Sequence, residues 1–598
     1  MTRAPTTPDP IEIAMEAEAH DTSPDSPARR VLLKQERLIG WDIAERRMGV
    51  ALKALTGLAG VVAAFALGAL VWNAAHADNL VIEAFSVPPA LAERGITGES
   101  LARQLIEDLA AINEVGHSQD KQRGFAADWG KALALEVPAT GISLTQADQW
   151  LKEKLGHQVH VNAEVVVGPD GALRVIAHSG THAIAPFVGD EADIPAMVQR
   201  VAEGVYAREQ ARSYAGYLLN SRRFDEAAAW LRPRTHLPLA RDRARAFNGL
   251  GLWAKIADPT QGSEFFRRAI NADPTFGYAY GNLADVETTL GHLDHAFGLW
   301  PQMAELVRND RRILEDARAS GANDAREKMA TLLGDYAGQL AARRERRQLA
   351  QLGTTSRDLA EPKIATSLAS LHDLRPARAE LGFDAETPDE ARQKAVALQA
   401  IEISGENWAA AQTAGAQAGL APSPLVLAHL GRMAEAQALI GATGLDNVTA
   451  VIERGRIASL AGDAAGADHW FGEAVRMAPS LPIANYFWGR ALLQRGRPDL
   501  AIAKFTLATE KGPRFADAWS AWGEALLAQG QARAAEGKFK QADRYAPNWG
   551  RNHLKWGEAL AKLGKKDAAL AQWRIAGGLD LTADERARLN RDIAKVKA

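Results

Sequence analysis

The stretch "WSAWGEALLAQGQARAAEGKFKQADRYAP", Trp519 to Pro547, decides the fold, because its pattern returns every 34 residues. Gly455, Gly489, Gly523 and Gly557 form one row, and Gly462, Gly496, Gly530 and Gly564 a second. Ala467, Ala501, Ala535 and Ala569 form a third, and Phe471, Phe505, Phe539 and Trp573 a fourth. Ala474, Ala508, Ala542 and Ala576 follow, then Pro479, Pro513 and Pro547. A fixed period of this length signals stacked repeats. An apolar run of helical period stands on each side of the second glycine. That glycine falls where a helix stops and where a positive φ is favoured. The first glycine and the alanines let two helices approach, the aromatic row fills the gap between one hairpin and the next, and the proline ends the second helix. Each unit is a helix–turn–helix hairpin.

These rows resemble the tetratricopeptide repeat, whose pattern is W-x2-L-G followed by Y, G, A, F, A and P. The Tyr of that pattern is replaced by Leu492, Leu526 and Leu560, and Trp488, Trp522 and Trp556 precede the first glycine. The resemblance implies an α-solenoid whose concave face, lined by the first helix of each unit, binds a protein or peptide. It places Thr449, Arg456, Tyr486, Arg490, Asp517, Glu524, Arg551 and Glu558 on that face. Both signs of charge alternate there, which suits a peptide with alternating charges of its own. A Lys/Asn clamp for a C-terminal carboxylate is not evident.

A chain of 598 residues is long enough for several domains, and a formal charge of −3 gives no bulk attraction to nucleic acid. The chain has no cysteine, which excludes disulfides, thiolate metal sites and cysteine nucleophiles. Residues 1–28 are rich in Pro, Ser, Thr and acidic side chains and read as a disordered arm. Residues 29–53 form a basic juxtamembrane helix. "ALTGLAGVVAAFALGALVW", Ala54 to Trp72, carries no charge and spans about 28 Å as a helix, so 54–74 reads as a membrane crossing. Basic residues crowd its N-terminal flank. The arm is therefore expected in the cytoplasm and the bulk in the periplasm of a bacterial inner-membrane protein. A cleaved signal peptide ending at Ala75-His76-Ala77 competes with this, against a long leader. Gly60, Ala64 and Gly68 form a small-residue ridge on which two such helices could pair as a homodimer.

Residues 79–205 change rhythm and read as a small α/β domain. "LVIEAFSV", Leu80 to Val87, is a strand. Thr97 caps a helix carrying Leu101, Leu105, Leu109 and Ile112. Ser143 and Gln146 form a capping box for a helix with Trp150, Leu151 and Leu155. Val159 to Val167 alternates, Pro169-Asp170-Gly171 turns, and Leu173 to His178 returns as a hairpin. A helix from Ile194 to Tyr206 leads into the repeats. The order resembles the TolB-like domain placed between a membrane helix and repeat units in some bacterial regulatory proteins, which implies a scaffold or sensor role. His157, His160, His178 and His182 are read as surface or strand histidines and not as a metal site.

Divergent repeats are expected over 206–305 and irregular helical repeats over 306–445, with turns marked by Gly405 and Gly431. The regular array covers 446–582, and 583–598 caps the stack. "RRERR", Arg343 to Arg347, reads as a solvated helix face. No P-loop, GxSxG or HExxH occurs, so neither an enzyme nor a bound cofactor is expected. The fold class is mainly α: a TPR-like solenoid preceded by a transmembrane helix and a small α/β domain. The function read from this is a membrane-anchored interaction scaffold. A transmembrane sensor, whose α/β domain binds a small ligand and signals to the cytoplasmic arm, is the alternative.

Overall fold

Glycines time the C-terminal helices. The computed structural model of the chain describes residues 9–20, 23, 26–116, 124–127, 150–152, 154–351 and 360–597. In the regular array the hairpins are Val448–Leu460 with Ala464–Met477, Ile483–Gln494 with Pro498–Lys511, Ala516–Ala528 with Ala532–Tyr545, and Gly550–Lys562 with Lys566–Gly578. The last helix is Ala583–Lys597. Gly462, Gly496, Gly530 and Gly564 hold φ of +80°, +71°, +79° and +74°. The next N–H in each turn reaches back to a carbonyl of the first helix, as in Arg497 N to Leu492 O at 2.9 Å, and satisfies an orphan acceptor.

The first glycine row has a sharper reason than small size. A Cβ on Gly455, Gly489 or Gly523 would stand 2.7, 2.6 or 2.6 Å from the ring of Phe471, Phe505 or Phe539. Gly557 meets Trp573 in the same way. The aromatic row therefore lies on its own unit's glycine, with alanines of the following unit in the same core. This corrects the reading that the rings fill only the gap between hairpins.

The chain divides into two compact units, Met1–Leu109 with Arg123–Val205, and Ala110–Gln122 with Tyr206–Ala598. In the first, Pro10–His20 is helical where the sequence reading expects disorder. A helix of 49 residues, Pro27–Ala75, follows, with the Ser26 hydroxyl accepting from Arg29 N at 3.1 Å. Its part Lys53–Ala75 is long and apolar enough to cross a membrane, and its searched window has no residue buried. Leu58, Val62, Phe65 and Trp72 all face outward.

The sheet of this unit has five strands: β1 Leu80–Ile82, β2 Phe125–Ala127, β3 Val159–Val167, β4 Leu173–Ser179 and β5 His182–Gly189. Their order is β2-β1-β3-β4-β5, with β1 parallel to both neighbours and β3-β4-β5 antiparallel. Val161, Ala163 and Val165 are buried between exposed or half-buried neighbours, as the alternation requires. Thr97 caps Gly98–Gly116, accepting from Ser100 N at 3.2 Å. Ile184 of β5 lies 2.7 Å from where a Cβ on Gly204 would stand, so the helix Ile194–Glu209 rests on the sheet. β2 and β5 were not read from the sequence, since each lacks an alternating apolar run. Ser143 and Gln146 lie outside the described residues.

In the second unit, hairpins continue through the segment read as irregular. Examples are Glu315–Leu332 with Tyr336–Gln351, Ala360–Ser370 with Leu374–Glu380, and Pro388–Ser404 with Trp408–Gln417. The register looked lost because His372 and Glu406 hold the left-handed turn position, with φ of +59° and +56° and no glycine. The turn residue is Glu406 and not Gly405, whose φ is −82°. The "RRERR" run is only in part a solvated face: Arg344 and Glu345 are exposed, and the other three arginines are half-buried. Arg343 bonds Glu327 at 2.9 Å and Thr366 at 2.7 Å, Arg346 bonds Asp324 at 2.6 Å, and Arg347 bonds Glu380 at 2.9 Å. These arginines tie neighbouring helices together.

Candidate functional site: the concave line of the regular array

Residues three or four apart share a helix face, so the first helix of each hairpin carries one polar row. In order, the row runs Glu453 and Arg456, then Tyr486 and Arg490, then Asp517, Ser520 and Glu524, then Arg551, Lys555 and Glu558. The structure brings most of the sequence-predicted residues together. Glu524 accepts from Arg551 through two bonds of 3.0 Å, and Arg551 reaches Glu585 at 3.1 Å. Tyr486 is 7% exposed, and its hydroxyl accepts from Arg490 at 3.3 Å. The Arg456 guanidinium lies over the Phe487 ring, 4.2 Å from its centre. Glu558 belongs to a neighbouring group with Lys555 at 3.2 Å and Arg588 at 2.7 Å. Thr449 is exposed and takes no part in this network.

Electrostatics follow from burial. The Glu524 carboxyl is held at about 2: burial alone would raise it, but Arg551, Arg490 and Lys555 overcome that. Desolvation brings Arg456 down to about 10, partly offset by Glu453 and Tyr486. Burial pushes Glu453 and Tyr486 upward. Arg490 is raised, first by Tyr486 and then by Glu524 against its own desolvation.

An opposing wall comes from the chain's own central helices, which the sequence reading did not anticipate. His372 bonds Asp517 at 3.0 Å and stacks on Trp549 with ring centres 4.1 Å apart. Tyr336 packs edge-on to Phe515 at 6.0 Å, and its hydroxyl is raised by burial and by Asp517. Glu406 acts on Arg551, and His429, lowered by burial and by Arg456, stacks on Trp408 at 3.8 Å. The loops between array units hold this wall in place. Val448 N bonds Gly291 O at 3.0 Å, Ser480 N bonds Asp294 at 2.8 Å, and Arg514 pairs with Asp335 at 2.9 Å. Asn548 bonds Asp373 at 2.8 Å. Asp580 accepts from Leu374 N and Arg375 N at 3.1 and 3.2 Å, capping that helix's positive end. One signal could have found part of this wall: His372 and Glu406 are 34 residues apart, the period of the array.

The fold is a tetratricopeptide-like solenoid. A scan against protein-family models gives no match, and neither does a search of curated proteins. Among solved structures, yeast Tom70 aligns over 65% of this chain and 95% of its own, at 12% identity and a TM-score of 0.30. The APC/C hetero-tetramer Cut9-Hcn1 aligns over 66% and 85%, at 12% identity and a TM-score of 0.36. PilF of Pseudomonas aeruginosa aligns over 35% and 86%, at 16% identity and a TM-score of 0.24. At these scores no functional likeness is drawn, and the fold assignment rests on the repeat geometry above.

Elsewhere, the four middle-domain histidines do not converge. His160 bonds Glu83 at 2.9 Å, while His157 and His182 are exposed. Among the described residues no three metal-ligating side chains gather.

Proposed function

We propose that the protein is a single-pass membrane scaffold that holds a protein or peptide partner along the concave line of its C-terminal array. The observation that carries this is the row itself. Four successive first helices present charged and aromatic side chains that are partly or fully withdrawn from bulk water, and part of their bonding capacity is unused. A surface that served only to solvate the helices would leave such groups in water. The apolar, unburied helix Lys53–Ala75 is the anchor. Basic residues on its N-terminal side favour a cytoplasmic arm and a periplasmic bulk. Gly60, Ala64 and Gly68 lie exposed on that helix, and nothing stands within 4 Å of a Cβ built on either glycine. They offer the ridge for a homodimer.

A photo-reactive residue at Thr449, in intact cells, tests the partner reading against the same residue at Leu507, which is exposed on a second helix. Defined crosslinks at Thr449 and none at Leu507 are expected; equal capture at both refutes it. The chain's lack of cysteine makes topology direct. An impermeant maleimide should label Lys597→Cys in spheroplasts, and Ser23→Cys only after permeabilisation. The reverse pattern overturns the orientation.

A further inference from the structure

We infer that the groove is built for an extended acidic peptide, with Arg456 and Arg490 receiving two of its side-chain carboxylates and the Ser520 hydroxyl bonding its backbone. The inference rests on the partner reading above and names the chemistry of the occupant. Every other cation of the row has a carboxylate of its own: Arg551 has Glu524 and Glu585, Lys555 has Glu558, and Arg588 has Glu558 and Asp592. Among the described residues Arg456 and Arg490 have none within ion-pair distance. Arg490 bonds only the neutral Tyr486 hydroxyl, at 3.3 Å, and Arg456 only faces the Phe487 ring. Glu524 acts on Arg490 only at longer range: its two oxygens bond Arg551, and no ion pair joins it to Arg490. Glu453, the remaining nearby acid, acts on Arg456 but makes no ion pair with it, and burial pushes its carboxyl upward. His429 faces Arg456 and adds no negative charge.

Two guanidiniums that are partly out of water and unpaired are costly to a folded chain. That cost is met when an anion enters. Beside them, Ser520 is fully buried and its hydroxyl has no partner. It stands between Asp517 and Glu524 on the same helix face, so it belongs to the groove floor. One Asp517 oxygen is also unpartnered and can accept a peptide N–H.

Spacing selects the occupant. Arg456 and Arg490 sit at equivalent positions of consecutive units. Packed helices lie about 8–10 Å apart, and a chain extended as polyproline II advances about 3.1 Å per residue and returns to the same face every three residues, so carboxylates three residues apart match the pair. A lone C-terminal carboxylate satisfies one arginine and leaves the other bare.

The test uses the full chain in detergent and a fluorescein-labelled peptide array. Each peptide is C-terminally amidated, has a neutral background, and carries two aspartates separated by one to six positions. Binding is expected to peak near a separation of three, to fall at least tenfold with asparagines, and to weaken with salt. Arg456→Gln and Arg490→Gln should each lower it tenfold or more. Arg490→Met should abolish binding while slowing native-state hydrogen exchange in Ile483–Gln494, which a purely structural arginine would not do. Binding that ignores spacing, that asparagine peptides match, or that appears only with a free C-terminus overturns the inference. So does the absence of binding across the array. Crosslinking at Thr449 separates the two readings. Capture that persists unchanged in Arg456→Gln/Arg490→Gln keeps the groove as a partner site and removes the acidic occupant. Loss of capture at Thr449 in the unmodified chain removes both.

Discussion

Alanine at Gly523 should destabilise the array even though alanine is the better helix former. The new Cβ would stand 2.6 Å from Cε1 of Phe539, with Cδ1 at 2.8 Å and Cζ at 2.9 Å. Carbon atoms at rest sit near 3.5 Å or more, so the overlap is close to 1 Å. The ring has no room to withdraw, since Phe539 is 0% exposed among Ala535, Ala559, Leu526 and Leu527. Overpacking of this kind costs about 1–3 kcal/mol, and helix propensity returns about 1 kcal/mol of it. A net loss of up to about 2 kcal/mol follows. Gly537 is the internal control. It lies in the helix Ala532–Tyr545, is exposed, and a Cβ there meets nothing within 4 Å. Gly537→Ala should stabilise by about 0.5–1 kcal/mol. Solenoids unfold unit by unit, so the reading belongs to native-state hydrogen exchange of amides in Ala516–Ala528 and not to one melting point. Each 1.4 kcal/mol of opening free energy changes the exchange rate about tenfold. If Gly523→Ala protects its helix as Gly537→Ala does, the ring-on-glycine contact does not hold the hairpin.

Glu406→Gly should stabilise the second unit by about 1 kcal/mol, because glycine adopts the left-handed turn without strain. His372→Gly should destabilise it at the same kind of position, because the Asp517 bond and the Trp549 stack are lost with the strain. Native-state hydrogen exchange of the helices flanking each turn should move in opposite directions in the two variants. Glu524 contributes to stability fully above the ordinary glutamate range near 4.5, and that contribution is lost as pH falls toward about 2. Glu524→Gln should therefore flatten the acid limb of a denaturation-versus-pH curve between those values, while lowering stability at neutral pH because Arg551 loses its bidentate partner. An unchanged limb would show that the pair is not formed. Deleting Lys53–Ala75 should move the protein from the carbonate-resistant membrane fraction to the soluble one, read by immunoblot.

Much of this protein was legible in one dimension because local rules suffice there. A 34-residue step with glycine at the turn, alanine at the contact and proline at the stop leaves a hairpin as the solution, and each row was found in its place. The uncharged run Ala54 to Trp72 is likewise a property of composition. The α/β domain was half legible: the hairpin β3-β4 announces itself by alternation, whereas β2 and β5 gain their strand state from neighbours in the sheet.

The sequence by itself determined the repeat and its helices, since these depend on residues within one or two turns of each other. Tertiary structure alone decided what faces that row. His372 and Glu406 take a left-handed turn without glycine, and Tyr336 and His372 reach the array across more than a hundred residues of chain. It also decided which arginines are paired. Ion pairing depends on distances between helices far apart in sequence, and no pattern of residue types encodes those distances.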